Sequence, residues 1–282
     1  MTRWCAFLAI LFGAVAVAAT TQPTFSSRVE GVRVDVLVTD SSRRPLRGLT
    51  AMDFDLSDNG VPQVVDVVSY GEIPLNVGLA FDLSESVAGE RLEQLRKASG
   101  ALIAGLQGGD QTALVTFDRI VSLSCPLSGN TACIQQALAP RATIDETALI
   151  DAVYAGIMIG ESDIGRSLLM VFSDGIDTAS WLRAERVLEL GRRSDVVVYA
   201  IASSDSRPDF LDELTSLTGG RLYEMNRRDE LSARFRNILD EFRHRYLITY
   251  RPQGVPRGGW HKLDVRVKRS GASVKARPGY QG

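Results

Sequence analysis

The sequence predicts an α/β protein: a doubly wound, mainly parallel sheet, with a small β-sandwich formed by the N- and C-terminal flanks. Between residues 75 and 243, continuous apolar runs alternate with amphipathic helical stretches. That is the pattern of β–α units whose strands are covered on both faces. Outside this stretch, apolar and polar residues alternate with period two, as in strands that have one wet face. The length of 282 residues suits one large or two modest domains, and 45% hydrophobic with 23% charged residues is ordinary for a folded chain.

The chain opens on Arg3 and an uncharged run from Trp4 to Ala19. Ala16-Val17-Ala18, or Val17-Ala18-Ala19, supplies a small-x-small cleavage pattern. Residues 1–19 therefore read as a secretory signal peptide, since the run is too short and too small-residue-rich at its end for a spanning helix. Cys5 lies early in that run, which argues against a lipoprotein. With no second long apolar stretch, the protein is expected to be secreted or periplasmic, with no stable membrane anchor after signal cleavage.

A first β flank occupies 29–72. Arg33 to Asp40 alternates in polarity, and Phe54 to Ser57 leads into Asp58-Asn59-Gly60, a hairpin turn, followed by a strand from Val64 to Tyr70. The central domain occupies 73–243, with strands at 75–82, 112–118, 167–173, 196–202 and 221–225. A short antiparallel edge strand is expected near Ile120–Leu123, after a tight turn at Asp118-Arg119. Helices are marked by Leu92, Leu95, Leu102, Ile103 and Leu106, then by Ala148, Ala152, Ala155 and Ile159. Trp181, Leu182, Val187, Leu188 and Leu190 mark a third, and Leu211, Leu214 and Leu217 a fourth that ends at Gly219-Gly220. Leu231, Phe235, Ile238, Leu239 and Phe242 mark a fifth. The second β flank, 245–279, has strands at Tyr246–Tyr250, Leu263–Val267 and Ser273–Ala276. Neither flank alone has enough strands for a stable core, so the two are expected to combine, away from the site described next.

Asp82-Leu83-Ser84-Glu85-Ser86 follows the apolar strand Leu75 to Phe81. A carboxylate and two hydroxyls on alternate residues past a buried strand make a cup of hard oxygens. Thr147 and Asp174, the latter at the end of another apolar strand, can complete it. Two carboxylates and three hydroxyls suit Mg²⁺, or Mn²⁺ or Ca²⁺, with room left for an outside ligand. In open α/β sheets, ligands bind at such carboxyl ends, where strand order reverses.

These residues resemble the metal-ion-dependent adhesion site, MIDAS, of von Willebrand factor type A (VWA) domains: D-x-S-x-S, a distant Thr, then a distant Asp followed by Gly. Asp82, Ser84, Ser86, Thr147 and Asp174 fill its five positions, and Gly175 follows. The Gly-Gly pair that often precedes the Thr is replaced by Asp145-Glu146. The flanks resemble those of bacterial secreted VWFA-related proteins, through Val36-Leu37-Val38-Thr39-Asp40, Asp58-Asn59-Gly60-Val61-Pro62-Gln63 and Tyr246-Leu247-Ile248-Thr249-Tyr250. The resemblance implies a Rossmann-like VWA fold and a non-enzymatic adhesion or scaffold module. It implies direct contact of Ser84, Ser86 and Thr147 with the cation, and contact of Asp82 and Asp174 directly or through water. It also implies a protein partner that presents an acidic residue. Glu85, Asp118 and Asp177 would form an acidic rim, with Arg119 and Arg141 as counterweights, and the helix at 229–243 would be the moving element.

Two competing functions start from the same residues. A Mg²⁺-dependent, phosphatase-like hydrolase also suits an Asp at a strand end beside a cation, but such sites want a second Asp two residues on, where Ser84 stands. A structural envelope protein would use the metal only for stability. No G-x-S-x-G, dinucleotide or phosphate-loop pattern occurs. A net charge of -2 supplies no field for nucleic acid. Cys125 and Cys133, eight positions apart around a turn-rich segment in an exported chain, are expected to pair as a disulfide.

Overall fold

The computed structural model describes residues 31–71, 73–139, 144–162, 165–202, 208–225 and 231–282. The leader at 1–19, residues 29 and 30 of the first flank, Arg141, and residues 229 and 230 of the last helix lie outside the described residues.

The centre is a six-stranded sheet. Its strands are β5 (Leu75–Asp82), β6 (Gln111–Phe117), β7 (Val121–Ser128), β8 (Arg166–Ser173), β9 (Val197–Ala202) and β10 (Leu222–Glu224). The spatial order is β10-β9-β8-β5-β6-β7, parallel throughout except for β6–β7. Every residue of β5, β8 and β9 is buried, as expected of strands covered on both faces. The chain leaves β5 toward β6 and later returns to β8 on the other side, so strand order reverses beside β5.

Helices α1 (Glu90–Ile103) and α6 (Leu231–Arg243) cover one face with α2 (Ala132–Ala137). Helices α3 (Leu149–Gly160), α4 (Ala184–Arg193) and α5 (Asp209–Leu217) cover the other. The buried stripe of α3 is Leu149, Ala152, Val153, Gly156, Ile157 and Gly160, so Ala155 and Ile159 fall at its margin instead of its centre. Gly156 and Gly160 set this rotation. A Cβ on either would meet Leu169 or Val196 within 3 Å, so the helix backbone lies directly on the strands.

Helix α4 starts at Ala184, later than the sequence predicts. Trp181 and Leu182 precede it because the Asp151 carboxylate accepts both of their backbone N–H groups at 2.9 Å. The edge strand β7 is longer than predicted and includes Pro126, which an edge tolerates because its outer side needs no donor. The turn-rich stretch after it contains a short helix, α2, that the sequence does not signal. Cys125 in β7 is bonded to Cys133 in α2, with Cα atoms 6.0 Å apart.

The flanks form two antiparallel sheets. One has the order β13-β1-β11-β4, made of Ser273–Lys275, Val32–Thr39, Tyr246–Tyr250 and Val65–Tyr70. The other, β14-β12-β2-β3, is made of Gly279–Gln281, Trp260–Val267, Phe54–Asp58 and Val61–Gln63. Val34, Val36, Tyr246, Ile248 and Tyr250 of the first pack with Phe54, Leu56 and Leu263 of the second in one core. The hairpin turn is where the sequence puts it, with φ of 48° at Asn59 and 80° at Gly60. The strand predicted over Val64–Tyr70 is divided instead. Val61–Gln63 stays with the hairpin, exposed Val64 marks the switch, and Val65–Tyr70 joins the other sheet. β14 was not signalled in the sequence.

Both sheets dock at the amino ends of the parallel strands. Arg166, the first residue of β8, donates through Nε to Asp35 of β1 at 2.9 Å. Arg277 reaches Asp195, just before β9, and the Arg192 carbonyl. A cavity of about 160 Å³, lined by Arg33, Asp35, Arg166, Arg193 and Asp195, lies in this junction. The carboxyl ends lie on the opposite edge of the sheet.

Candidate metal centre

β5 delivers Asp82 to the carboxyl edge, and the Leu83 N–H holds the following loop to the Phe117 carbonyl at 2.7 Å. Asp82 is fully buried. Its Oδ1 accepts the Ser84 backbone N–H at 2.9 Å, and its Oδ2 accepts the Ser173 hydroxyl at 2.7 Å. Ser84 and Ser86 share a hydrogen bond, with Oγ atoms 3.1 Å apart. Ser84 is buried and Ser86 half-buried. Across the strand-order switch, Asp174 follows β8, and its Oδ1 accepts the Ile176 N–H at 3.1 Å.

Thr147 is buried just before α3. Its N–H donates to Thr178 Oγ1 at 2.8 Å, and its carbonyl accepts the N–H groups of Thr178 and Ala179. The Glu85 N–H reaches the Ile144 carbonyl, and the Ala148 N–H reaches the Asp118 carbonyl at 2.7 Å. The loops bearing Asp82, Thr147 and Asp174 are therefore stitched to one another or to a shared neighbour. Of the residues read as metal ligands, Asp82, Ser84 and Ser86 lie on the loop after β5, Asp174 on the loop after β8, and Thr147 on the loop bonded to it.

Burial pushes the Asp82 carboxyl above its usual range, and the Asp174 charge adds to the effect. Hydrogen bonds from Ser84 and Ser173 oppose it. A buried carboxylate surrounded by hydroxyls and a second carboxylate is short of positive charge, which a hard divalent cation supplies. The residues thus fit such an ion. Among the described residues no three His, Cys, Asp or Glu side chains gather as a cage, so hydroxyls would supply most protein ligands.

The acidic rim is thinner than the sequence implies. Asp177 Oδ1 accepts the Ser180 hydroxyl at 2.5 Å and the Ile150 N–H at 3.2 Å. Asp118 Oδ1 accepts the Ile120 N–H. Both act as loop fasteners, while Glu85 and Asp145 stay exposed. Arg119 pairs with Glu146 at 3.5 Å on the surface. Sequence reasoning missed Ser173, which fixes Asp82, and Asp151, Thr178 and Ser180, which fix the Asp174 loop. For Ser173, Thr178 and Ser180 the available signal was the polar cluster at and after the end of β8; Asp151, in α3, had none.

A doubly wound sheet with hydroxyls and carboxylates gathered where its strand order reverses defines an open α/β domain with a polar carboxyl edge. The model of the von Willebrand factor type A domain matches residues 76–237, and the chain belongs to that family. Proximal thread matrix protein 1 from the mussel byssus, solved with a zinc-occupied MIDAS motif, is 18% identical, with a TM-score of 0.54 over 66% of this chain and 49% of that one. An aerotolerance-related membrane protein from Bacteroides fragilis is 15% identical, with a TM-score of 0.50 over 60% of this chain and 98% of its own. The PilB minor pilin from Streptococcus sanguinis is 14% identical, with a TM-score of 0.50 over 61% and 62%. At these identities the likeness is one of fold. No curated protein matches the chain. Among the described residues no helix is long and apolar enough to cross a membrane.

Proposed function

We propose that this chain is an exported, non-enzymatic binding module that grips a protein partner through a divalent cation. Asp82, Ser84, Ser86, Thr147 and Asp174 would hold the ion, Mg²⁺ or alternatively Mn²⁺ or Ca²⁺, and an Asp or Glu of the partner would complete its shell. The observation that carries this reading is the buried Asp82, answered by hydroxyls and a backbone donor, with no basic partner among the described residues. When bound, the cation would supply an electrophilic centre that neutral hydroxyls leave open to an outside carboxylate. The chain's own contribution is to hold Asp82 oriented, through Ser173 and the Ser84 N–H, and to fasten the Thr147 loop to Thr178.

Both histidines serve elsewhere. His261 lies 2.8 Å from Asp58 in the sandwich core, and His244 contacts Arg47 and Asp240. Neither stands at the carboxyl edge as a general base, which favours binding over hydrolysis. The leader-like N-terminus and the Cys125–Cys133 bond favour an oxidising compartment, secreted or periplasmic.

The test is calorimetric titration of Mg²⁺, Mn²⁺ and Ca²⁺ into the EDTA-treated protein. Saturable one-to-one binding is expected, lost in Asp82→Ala while the fold persists by circular dichroism. A folded wild-type protein that binds none of the three would reject the metal-bridge reading.

A further inference from the structure

Large apolar side chains are exposed around the carboxyl edge. Ile120 is 60% exposed, Ile144 42%, Ile176 57% and Trp181 95%. Each sits beside a site loop. Ile120 follows the end of β6, Ile144 lies three residues before Thr147, and Ile176 lies two residues after Asp174. Trp181 ends the same loop as Asp174.

The backbone that displays Trp181 is tightly held. Its own N–H and that of Leu182 donate to the two Asp151 carboxylate oxygens at 2.9 Å. The Ser180 hydroxyl bonds Asp177 and accepts the Asp151 N–H at 3.1 Å. Thr178 is bonded to Thr147 in both directions. Tryptophan is usually mostly buried, and an indole with almost no intramolecular cover forgoes that stabilisation. A fixed backbone under an exposed indole leaves little to be ordered on binding, which is the arrangement of an interface anchor. Exposed Glu85 and Asp145 bring negative charge to the same edge, where Arg91 donates to the Ser86 carbonyl at 2.7 Å and Arg119 is taken up by Glu146, so a ligand cation facing the two acids completes the match.

We propose that loop 176–182 selects the partner. The occupant would be an extended protein segment whose metal-binding Asp or Glu is followed or preceded by a bulky apolar residue seated on Ile176 and Trp181, with a Lys or Arg facing Glu85 and Asp145. This rests on the metal-bridge reading and adds to it the residues that choose among acidic ligands.

The test uses labelled decapeptides with a central Glu and two lysines, flanked by Leu and Phe or by Ser, and a Gln-centred control. Binding is read by fluorescence anisotropy in Mg²⁺ and in EDTA, for the wild type and for Trp181→Ala, whose exposed position predicts an unchanged Tm. The expected result is Mg²⁺-dependent binding of the apolar-flanked Glu peptide, tighter than the Ser-flanked one by about tenfold or more, with that preference lost in Trp181→Ala. Equal affinity for both flanks, or full retention by Trp181→Ala, would overturn the loop's role while EDTA sensitivity kept the metal bridge. Binding insensitive to EDTA and to Glu→Gln would overturn both. Failure of every peptide to bind the Mg²⁺-loaded protein would overturn the proposed occupant.

Discussion

Gly175 has φ of 86°, and a Cβ there would lie 2.0 Å from Pro208 Cγ. Both the backbone region and the neighbour refuse a side chain, so Gly175→Ala is expected to cost about 2 kcal/mol or more in urea unfolding. It should also weaken Mg²⁺ binding by displacing Asp174, which calorimetry can read separately. Lys275 offers a second residue-level test. Burial, with Arg221 and Arg245 adding to it, lowers its ammonium from 10.5 to about 8. Below pH 8 the amine is charged in both folded and unfolded chains, and the desolvation penalty is fully present. Between about 8 and 10.5 the unfolded chain holds the proton more tightly, so this group's contribution to stability improves with rising pH. Lys275→Met should therefore raise Tm at pH 7, with a gain that fades toward pH 10.5. Gly175 could be read as part of a motif. The burial of Lys275 could not, because it depends on which strand lies over it.

At the scale of elements, apolar runs located the parallel strands to within one or two residues, since the central strands are buried on both faces and their few polar positions do not break the run. It failed where a side chain captured the backbone. Trp181 and Leu182 continue the apolar pattern of α4 but are held out of the helix by Asp151. It failed again at Val64, where two strands of different sheets run together in sequence. The β7–α2 unit is closed by Cys125–Cys133, whose separation of 8 residues removes loop entropy from the unfolded chain. Cys133→Ser is expected to lower the unfolding free energy by about 2–3 kcal/mol. Reduction of the wild type by dithiothreitol should give a similar loss, and a chevron or equilibrium urea curve would measure both.

For the whole molecule, the junction between sandwich and parallel sheet holds a buried ion pair. Arg166 is 1% exposed and Asp35 9%, and the pair joins β8 to β1. Asp35→Ala leaves a guanidinium buried without its carboxylate, which should cost about 3–5 kcal/mol in chemical denaturation. Because the site lies at the far ends of the same strands, Mg²⁺ affinity of the folded variant should change little. The sequence by itself determined the alternation of strand and helix, the placing of Asp82 and Asp174 at the ends of apolar strands and the Asn59-Gly60 turn. Each of these rests on residues close in sequence or on local chain geometry. The pairing of β1 with β11, the choice of Ser173 and Asp151 as supports and the display of Trp181 were decided only by the tertiary structure. They depend on which distant segments meet, and one-dimensional patterning carries no record of that.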